Sequence, residues 1–143
     1  NILSYMNHRL LTDGNTVASI DEAYLFLSNL TTIEYIRNAM KRVRKKNSAV
    51  LLASQNIDDF LSPDVREYTK PLFAIPANRF LFYPGHVEQR DFCDALSISP
   101  AEYALIDHPE RGVCLYHCGN ARYLLQVQAP DFQAKLFGDA GGR

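Results

Sequence analysis

The stretch "VASIDEAYLFL", residues 17–27, places two adjacent carboxylates between two apolar segments. The small and β-branched residues of "TVASI" (16–20) do not alternate with polar ones, which is typical of a strand covered on both faces in a parallel sheet. Asp21 and Glu22 follow at its carboxyl end, and "EAYLFLSN" then resembles the start of a helix. In open α/β sheets, functional groups gather at the carboxyl ends of strands, so this pair is the first candidate for chemistry.

Two interpretations of Asp21 and Glu22 are open at this point. In a nucleotide-hydrolysing domain, the Asp at this position helps to hold the Mg²⁺ shell and the adjacent Glu polarises the attacking water. Alternatively, the pair only begins a helix, where acidic side chains favour the positive end of the dipole. The motif is short, and by itself it does not decide between them.

A second buried strand is predicted at "SAVLLAS", residues 48–54, and the polar side chain Gln55 follows it. An amide at a strand end can sense a γ-phosphate or orient water, although Gln55 alone also fits an ordinary loop residue. The second strand end lies one helix and one strand downstream of the first, and both belong to one predicted α/β unit. Together, the two ends favour the nucleotide interpretation.

The helix that joins these strands carries a basic run, "RNAMKRVRKK", at residues 37–46. Its residues Arg37, Lys41 and Arg44 lie along one helical face. The cations can simply complement the dipole at the helix C-terminus and solvate the surface. They can also present an arginine to the phosphates of a neighbouring subunit, or form a patch on DNA.

Local signals predict the remaining elements. The helix after the first strand is expected to start near Thr32, because Thr31 and Glu34 fit a capping box, and to stop near Asn47. Further along the chain, we predict two short strands at "PLFAIP" (71–76) and "RFLFYPG" (79–85), a helix at "HVEQRDFCDAL" (86–96), a capped helix start at "SPAE" (99–102), and a β-hairpin of "GVCLYHC" and "ARYLLQVQ" around Gly119 and Asn120.

The composition is that of an ordinary soluble globular protein. The chain has 143 residues, 47% of them hydrophobic and 22% charged, with a formal net charge of -1. The length predicts one domain over residues 1–143, and the order of predicted helices and strands makes it α/β, with halves at 1–70 and 71–143. We expect this domain in the cytoplasm. No apolar run reaches the ~20 residues of a membrane span. Because "NILSYMNHRLL" lacks an initiating Met and resembles the middle of a helix, we expect a piece of a longer protein.

The cysteines and histidines show no spacing that is typical of a metal site. Cys114 and Cys118 fall on one predicted strand, where four residues at ~3.3 Å each separate them by roughly 13 Å. We therefore expect free thiols in a reducing compartment. No metal-binding or nucleophilic role is assigned to any member of this set, which comprises Cys93, Cys114, Cys118, His8, His86, His108 and His117.

The ordered set "VASIDEAYLFL", "RKKNSAVLLASQ" and "LSISPAEYALI" resembles the C-terminal part of the large cytoplasmic ATPase of conjugative-transfer (type IV secretion) machines. That family belongs to the hexameric RecA-like pumps of DNA and protein. The similarity covers residues 1–127. It implies a partial RecA-like P-loop NTPase domain with a mostly parallel sheet, flanking helices and a C-terminal β-hairpin.

The resemblance also implies roles for single residues. Asp21 and Glu22 match the Walker B acids, with Asp21 in the Mg²⁺ shell and Glu22 as the catalytic carboxylate. Gln55 matches the glutamine motif after the next strand. Arg44 matches the basic motif that acts in trans on the adjacent subunit's nucleotide, and Arg42 is the second choice for that role. The implied substrate and cofactor are ATP and Mg²⁺.

A protein of this family works as a hexamer with other secretion-channel proteins at the inner face of the membrane, where it powers pilus assembly and substrate transfer. DNA is a further candidate partner. The sequence contains no GxxxxGK[ST] loop, so the Walker A part is absent, and we expect the isolated chain neither to bind ATP tightly nor to hydrolyse it.

Three alternatives to this motor remain. The first is a DNA translocase or coupling ATPase of the same superfamily, and the second is a non-catalytic interaction domain whose acids only cap a helix. The third is a metal-dependent nuclease, which ranks behind the others because "LLASQ" (51–55) carries no acidic residue of an ExK motif.

Overall fold

The computed structural model describes residues 2–27 and 29–138. Two short segments, Ala23–Phe26 and Val43–Lys46, are 3₁₀ helices, and a π-helical turn at Arg9–Asp13 extends the first helix. None of the helices in these ranges has the length and apolar character needed to cross a membrane. The α-helices are α1 (Ile2–His8), α2 (Leu30–Arg42), α3 (Asp58–Leu61), α4 (Arg66–Ala74), α5 (Gln89–Leu96), α6 (Pro100–Tyr103) and α7 (Asp131–Phe137).

The strands form two sheets. A parallel pair joins β1 (Val17–Ile20) to β2 (Ala49–Leu52), and an antiparallel sheet has the order β3 (Asn78–Leu81), β4 (Val113–Cys118), β5 (Ala121–Gln126). The α/β class and the C-terminal hairpin are confirmed. The strand content is mixed rather than mostly parallel, because β4 pairs antiparallel with both β3 and β5.

The predicted strand "PLFAIP" is wrong, since most of it belongs to α4, which continues through Pro71. Two buried contacts explain the helix. Leu72 is buried in the core beside the parallel sheet, and Phe73 packs against both that core and the core beside the antiparallel sheet. Tertiary packing therefore overrides the local preference of this apolar, proline-containing segment.

The predicted capping box of α2 is also wrong. The helix begins at Leu30, and the side chain of Asn29 accepts hydrogen bonds from the backbone N–H groups of Thr31 and Thr32 at 2.9 and 3.4 Å. Asn is among the strongest N-cap residues, so it fixes the start two residues earlier than the expected position. The box predicted at Ser99 and Glu102 is present at the start of α6.

Two principal cores lie on either side of α4. The first packs β1 against α2 and α4 and includes Ile20, Ile33 and Ile36, which are at most 8% exposed. The second packs α5 and the segment after it against β4. Phe73 contacts both cores, and its ring lies 5.4 Å from that of Phe60. In the first core, α2 packs against one face of the parallel pair.

The parallel pair is covered on one face only. Ala18 and Ile20 of β1 and Val50 and Leu52 of β2 face the core, whereas the alternate residues are exposed. Val17 and Leu51, which lie on the open face, are 72% and 55% exposed. The expected burial of both faces of β1 is therefore not observed within the described residues.

Four non-glycine residues among those described have a positive φ: Asn15, Glu22, Asn47 and Ser97. Asn tolerates the left-handed region well, and Ser97 ends α5. Glu22 is the exceptional member, with φ 51° and ψ 46° directly after β1. For a long L side chain, this backbone conformation costs on the order of 1 kcal/mol.

Replacing Glu22 by Gly and by Ala isolates this backbone cost, because both variants remove the same carboxylate. We expect Glu22→Gly to have a free energy of unfolding about 1 kcal/mol higher than Glu22→Ala, measured by urea denaturation. Glu34, inside α2, provides the matched pair, where Gly should instead be about 1 kcal/mol less stable than Ala. Equal stabilities of the two Glu22 variants would contradict the assigned strain.

Candidate functional site

The hydrogen-bond ladder between β1 and β2 continues past the last paired residues. Ala53 donates its N–H to the carbonyl of Ile20 at 2.9 Å, and Ala23 donates to the carbonyl of Ala53 at 2.9 Å. Because these bonds link the segments that follow the two strands, residues 21–23 stay beside residues 53–55. The backbone thus forms one continuous edge at the carboxyl ends of the pair.

This edge brings Glu22 and Gln55 into direct contact. The Gln55 side-chain amide donates from Nε2 to Oε1 of Glu22 at 2.9 Å, across 33 positions of sequence. Asp21 is joined to the same group, since its Oδ1 accepts the backbone N–H of Glu22 at 2.9 Å. The structure therefore places the three residues suggested by the two strand ends in one hydrogen-bonded chain.

The two carboxylates retain free acceptor capacity. Asp21 is exposed and Glu22 is half-buried, and neither forms an ion pair with a described residue. Oδ2 of Asp21 and Oε2 of Glu22 also accept no hydrogen bond within residues 2–27 and 29–138. Carboxylate oxygens suit a hard cation such as Mg²⁺, which keeps several waters of its own and is usually held by one or two protein carboxylates. The donor set fits that ion.

Arg42 and Arg44 lie at the other end of the parallel pair. Arg42 ends α2 and Arg44 belongs to the 3₁₀ segment before β2; both are exposed. Because β2 has four residues, at ~3.3 Å each, its length separates this segment from Gln55 by roughly 13 Å. Neither arginine forms an ion pair within the described part of the chain. The structure thus does not bring them to Glu22 within one chain.

The cysteines and histidines lie outside this edge. All three cysteines are free thiols, with Cys93 and Cys114 buried and Cys118 exposed. Burial raises the pKa of the Cys93 and Cys114 thiols above the ordinary value. Over residues 2–27 and 29–138, no three His, Cys, Asp or Glu side chains form a group that could hold a metal ion.

One feature of the edge was missed by the sequence reasoning, namely the left-handed backbone of Glu22. A Gly or Asn after the strand would have signalled such a conformation, and Glu carries no such signal. The conformation is nevertheless central to the geometry. It turns the chain directly after β1, so that Ala23 is buried while the Glu22 carboxylate meets Gln55.

Comparison with known proteins gives a match among solved structures. No protein-family model matches the chain, and no curated protein sequence does. Among solved structures, the fold is similar to that of VirB4 of Thermoanaerobacter pseudethanolicus, with a TM-score of 0.83 and 28% sequence identity. The match covers 94% of this chain and 37% of the VirB4 chain.

The α/β elements superpose over almost the whole chain with those of VirB4, a type IV secretion ATPase. At 28% identity, the likeness extends beyond the fold alone. The resemblance to the conjugative-transfer ATPases is therefore confirmed: this chain is similar to a fragment of VirB4, with a partial P-loop ATPase fold.

Proposed function

We propose that the chain is the C-terminal part of an ATP-hydrolysing motor of a conjugation or type IV secretion system. The observation that carries the proposal is the 2.9 Å hydrogen bond between Gln55 and Glu22 across the carboxyl ends of two parallel strands. In this function, residues 1–70 supply the acidic and glutamine motifs, and residues 71–143 supply the C-terminal elements. The chain spans 37% of the VirB4 protein that it matches, so the whole motor includes more than these residues.

Each residue of the edge has a distinct task in this proposal. Asp21 would hold Mg²⁺ through water of its shell, and the ion would neutralise charge on the phosphates. Glu22 accepts a proton from the attacking water at Oε2, the oxygen that the described residues leave free. Gln55 holds Oε1 of Glu22, which fixes the orientation of the carboxylate.

Arg44 completes the site from a neighbouring subunit. Its exposed position at the opposite end of the parallel pair fits an arginine that acts in trans, and Arg42 is the second choice. Such an arginine stabilises the charge that develops on the phosphates during transfer. This role requires an oligomer, for which we propose a hexamer.

The hexamer is proposed to work with the other secretion-channel proteins at the cytoplasmic face of the membrane, where ATP hydrolysis powers pilus assembly and the transfer of DNA or protein. The exposed cations of the basic run favour a DNA-translocating or coupling ATPase as the second candidate; they are Lys41, Arg42, Arg44, Lys45 and Lys46. Binding of DNA by the full-length hexamer, with affinity that falls steeply as salt is raised, distinguishes that candidate.

Glu22→Gln in the full-length protein tests the catalytic carboxylate. Gln keeps a side-chain oxygen that can accept from Gln55, but it cannot take a proton from water. We therefore expect ATP turnover to fall about 10²- to 10⁴-fold while nucleotide binding is retained. Glu34→Gln, which removes an exposed carboxylate on α2, is the control and should leave turnover unchanged. Unchanged turnover of Glu22→Gln would overturn the assignment of Glu22 as the catalytic carboxylate.

A mixing experiment tests the action of Arg44 in trans. Arg44→Ala alone should lose about 10³-fold or more of the turnover. When it is mixed with Glu22→Gln protein, some interfaces combine the intact Glu22 of one subunit with the intact Arg44 of its neighbour. Activity should therefore partly recover in the mixture, with Lys45→Ala as the matched control. No recovery would indicate action within one subunit, and the same test with Arg42→Ala decides between the two arginines.

The 143-residue chain by itself should not hydrolyse ATP, because its sequence lacks the GxxxxGK[ST] loop that holds the phosphates. Purified chain, assayed for phosphate release with Mg²⁺ and ATP, should show no turnover above the Glu22→Gln variant. Mg²⁺-dependent turnover that Glu22→Gln abolishes would mean that the phosphates are held by other residues of this chain.

A further inference from the structure

A row of polar side chains crosses the core-facing side of the antiparallel sheet. Arg79 on β3 pairs with His117 on β4, and His117 pairs with Arg122 on β5, so the three share one face. His117 is only 1% exposed, and Leu115 and Leu81 on the same face belong to an apolar core. Arg79 is half-buried. Buried polar groups are costly without hydrogen-bond partners.

Arg79 is held by neutral groups only. Its Nη1 donates to the carbonyls of Leu96 at 2.9 Å and Phe73 at 3.4 Å, and its Nη2 lies 2.9 Å from Nδ1 of His117. No carboxylate of the described residues forms an ion pair with it. Burial, and then the charge of Arg122, lower the pKa of the Arg79 guanidinium, as expected for a cation without a counter-charge.

His117 has an unused donor. Because a guanidinium can only donate, Nδ1 of His117 is the acceptor and its neutral ring carries the proton on Nε2. Nε2 is buried and has no hydrogen-bond partner within the described residues. Burial first, and then Arg122 and Arg79, lower the pKa of His117, with Glu102 acting in the opposite direction. An unmet buried donor of this kind is costly.

Glu102 does not meet this need, because other groups occupy its oxygens. The backbone N–H and the hydroxyl of Ser99 donate to its Oε2 at 2.7 and 2.9 Å. Its Oε1 lies 3.5 Å from Nε of Arg122. The carboxylate is thus committed to the cap of α6 and to Arg122, and the pair of Arg79 and His117 remains without an anion.

A cavity of about 320 Å³ opens beside this pair. Its walls are Arg79, His117, the segment 73–77, Ser97 and the hairpin turn at Gly119 and Asn120. The volume is at the lower end of the range for small-molecule sites. None of these residues belongs to the edge formed by Asp21, Glu22 and Gln55.

We propose that this cavity binds one small oxyanion, a carboxylate or a phosphate group, through Arg79, with the ring of His117 in the wall beside it. The guanidinium offers a full positive charge, and no described acid that faces it is free to compensate that charge. A planar guanidinium matches the geometry of either oxyanion. The site is independent of the proposed ATPase function, since it shares no residue with it.

Titration with inorganic phosphate and with acetate tests the proposal, using the chain labelled with ¹⁵N-histidine. We expect a saturable, one-site shift of the His117 ring nitrogens, while His8, His86 and His108, which are exposed, serve as internal references. A response to phosphate alone assigns a phosphoryl ligand, and a response to acetate alone assigns a carboxylate. A saturable rise in Tm should accompany the shift.

Three variants complete the test. Arg79→Gln should weaken binding about tenfold or more. Arg90→Gln removes the same charge from a side chain that is 92% exposed on α5, and it should bind as the unmodified chain does. Ala74→Leu fills the cavity from an exposed position of α4 and leaves Arg79 and His117 unchanged, so it should abolish the shift even if Arg79→Gln does not fold. An unsaturable response, a silent His117, or equal weakening by Arg90→Gln would overturn the proposal.

Discussion

The parallel pairing of β1 with β2 is the interaction on which the candidate site depends. Ile20 pairs with Leu52 at the end of the register, and the backbone bonds of Ala53 and Ala23 extend the ladder beyond it. Glu22 and Gln55 are 33 positions apart, so only this ladder brings them within 2.9 Å. A one-residue slip would turn every side chain to the other face and separate them. Packing of α2 against the core face of the pair fixes that register.

Much of this arrangement could be predicted from the sequence, because the strands and the polar residues at their ends each have a recognisable local pattern. Unalternating apolar runs marked both strands, and their polar ends marked the edge. What failed were elements decided by packing or by one residue's competition with another. Phe73 contacts two cores and keeps "PLFAIP" partly helical, and Asn29 caps α2 before Thr31 can. Such contacts have no signature in a local pattern.

The open face of the parallel pair shows a different limit of sequence reasoning. Its pattern is typical of a strand buried on both faces, yet Val17 and Leu51 are 72% and 55% exposed. A two-stranded sheet that packs on one side leaves its other face open. The match covers 37% of the VirB4 chain. The apolar pattern of a strand reflects the environment for which the whole fold selects it. It therefore predicts burial of both faces correctly only where other elements cover both faces.

Arg79 and His117 were missed because strand alternation hides them. In "RFLF" (79–82) and "VCLYHC" (113–118) they fall on the same face as Leu81 and Leu115, so a polar residue there passes as an ordinary strand position. Only the partner count reveals an uncompensated charge.

Glu22 presents the converse case, because its motif is visible and its backbone strain is not. A position that only turned the chain out of the strand would favour Gly or Asn at φ 51°. Glu at this position accepts that strain and supplies a carboxylate, and this is the physical reason to assign the carboxylate a task.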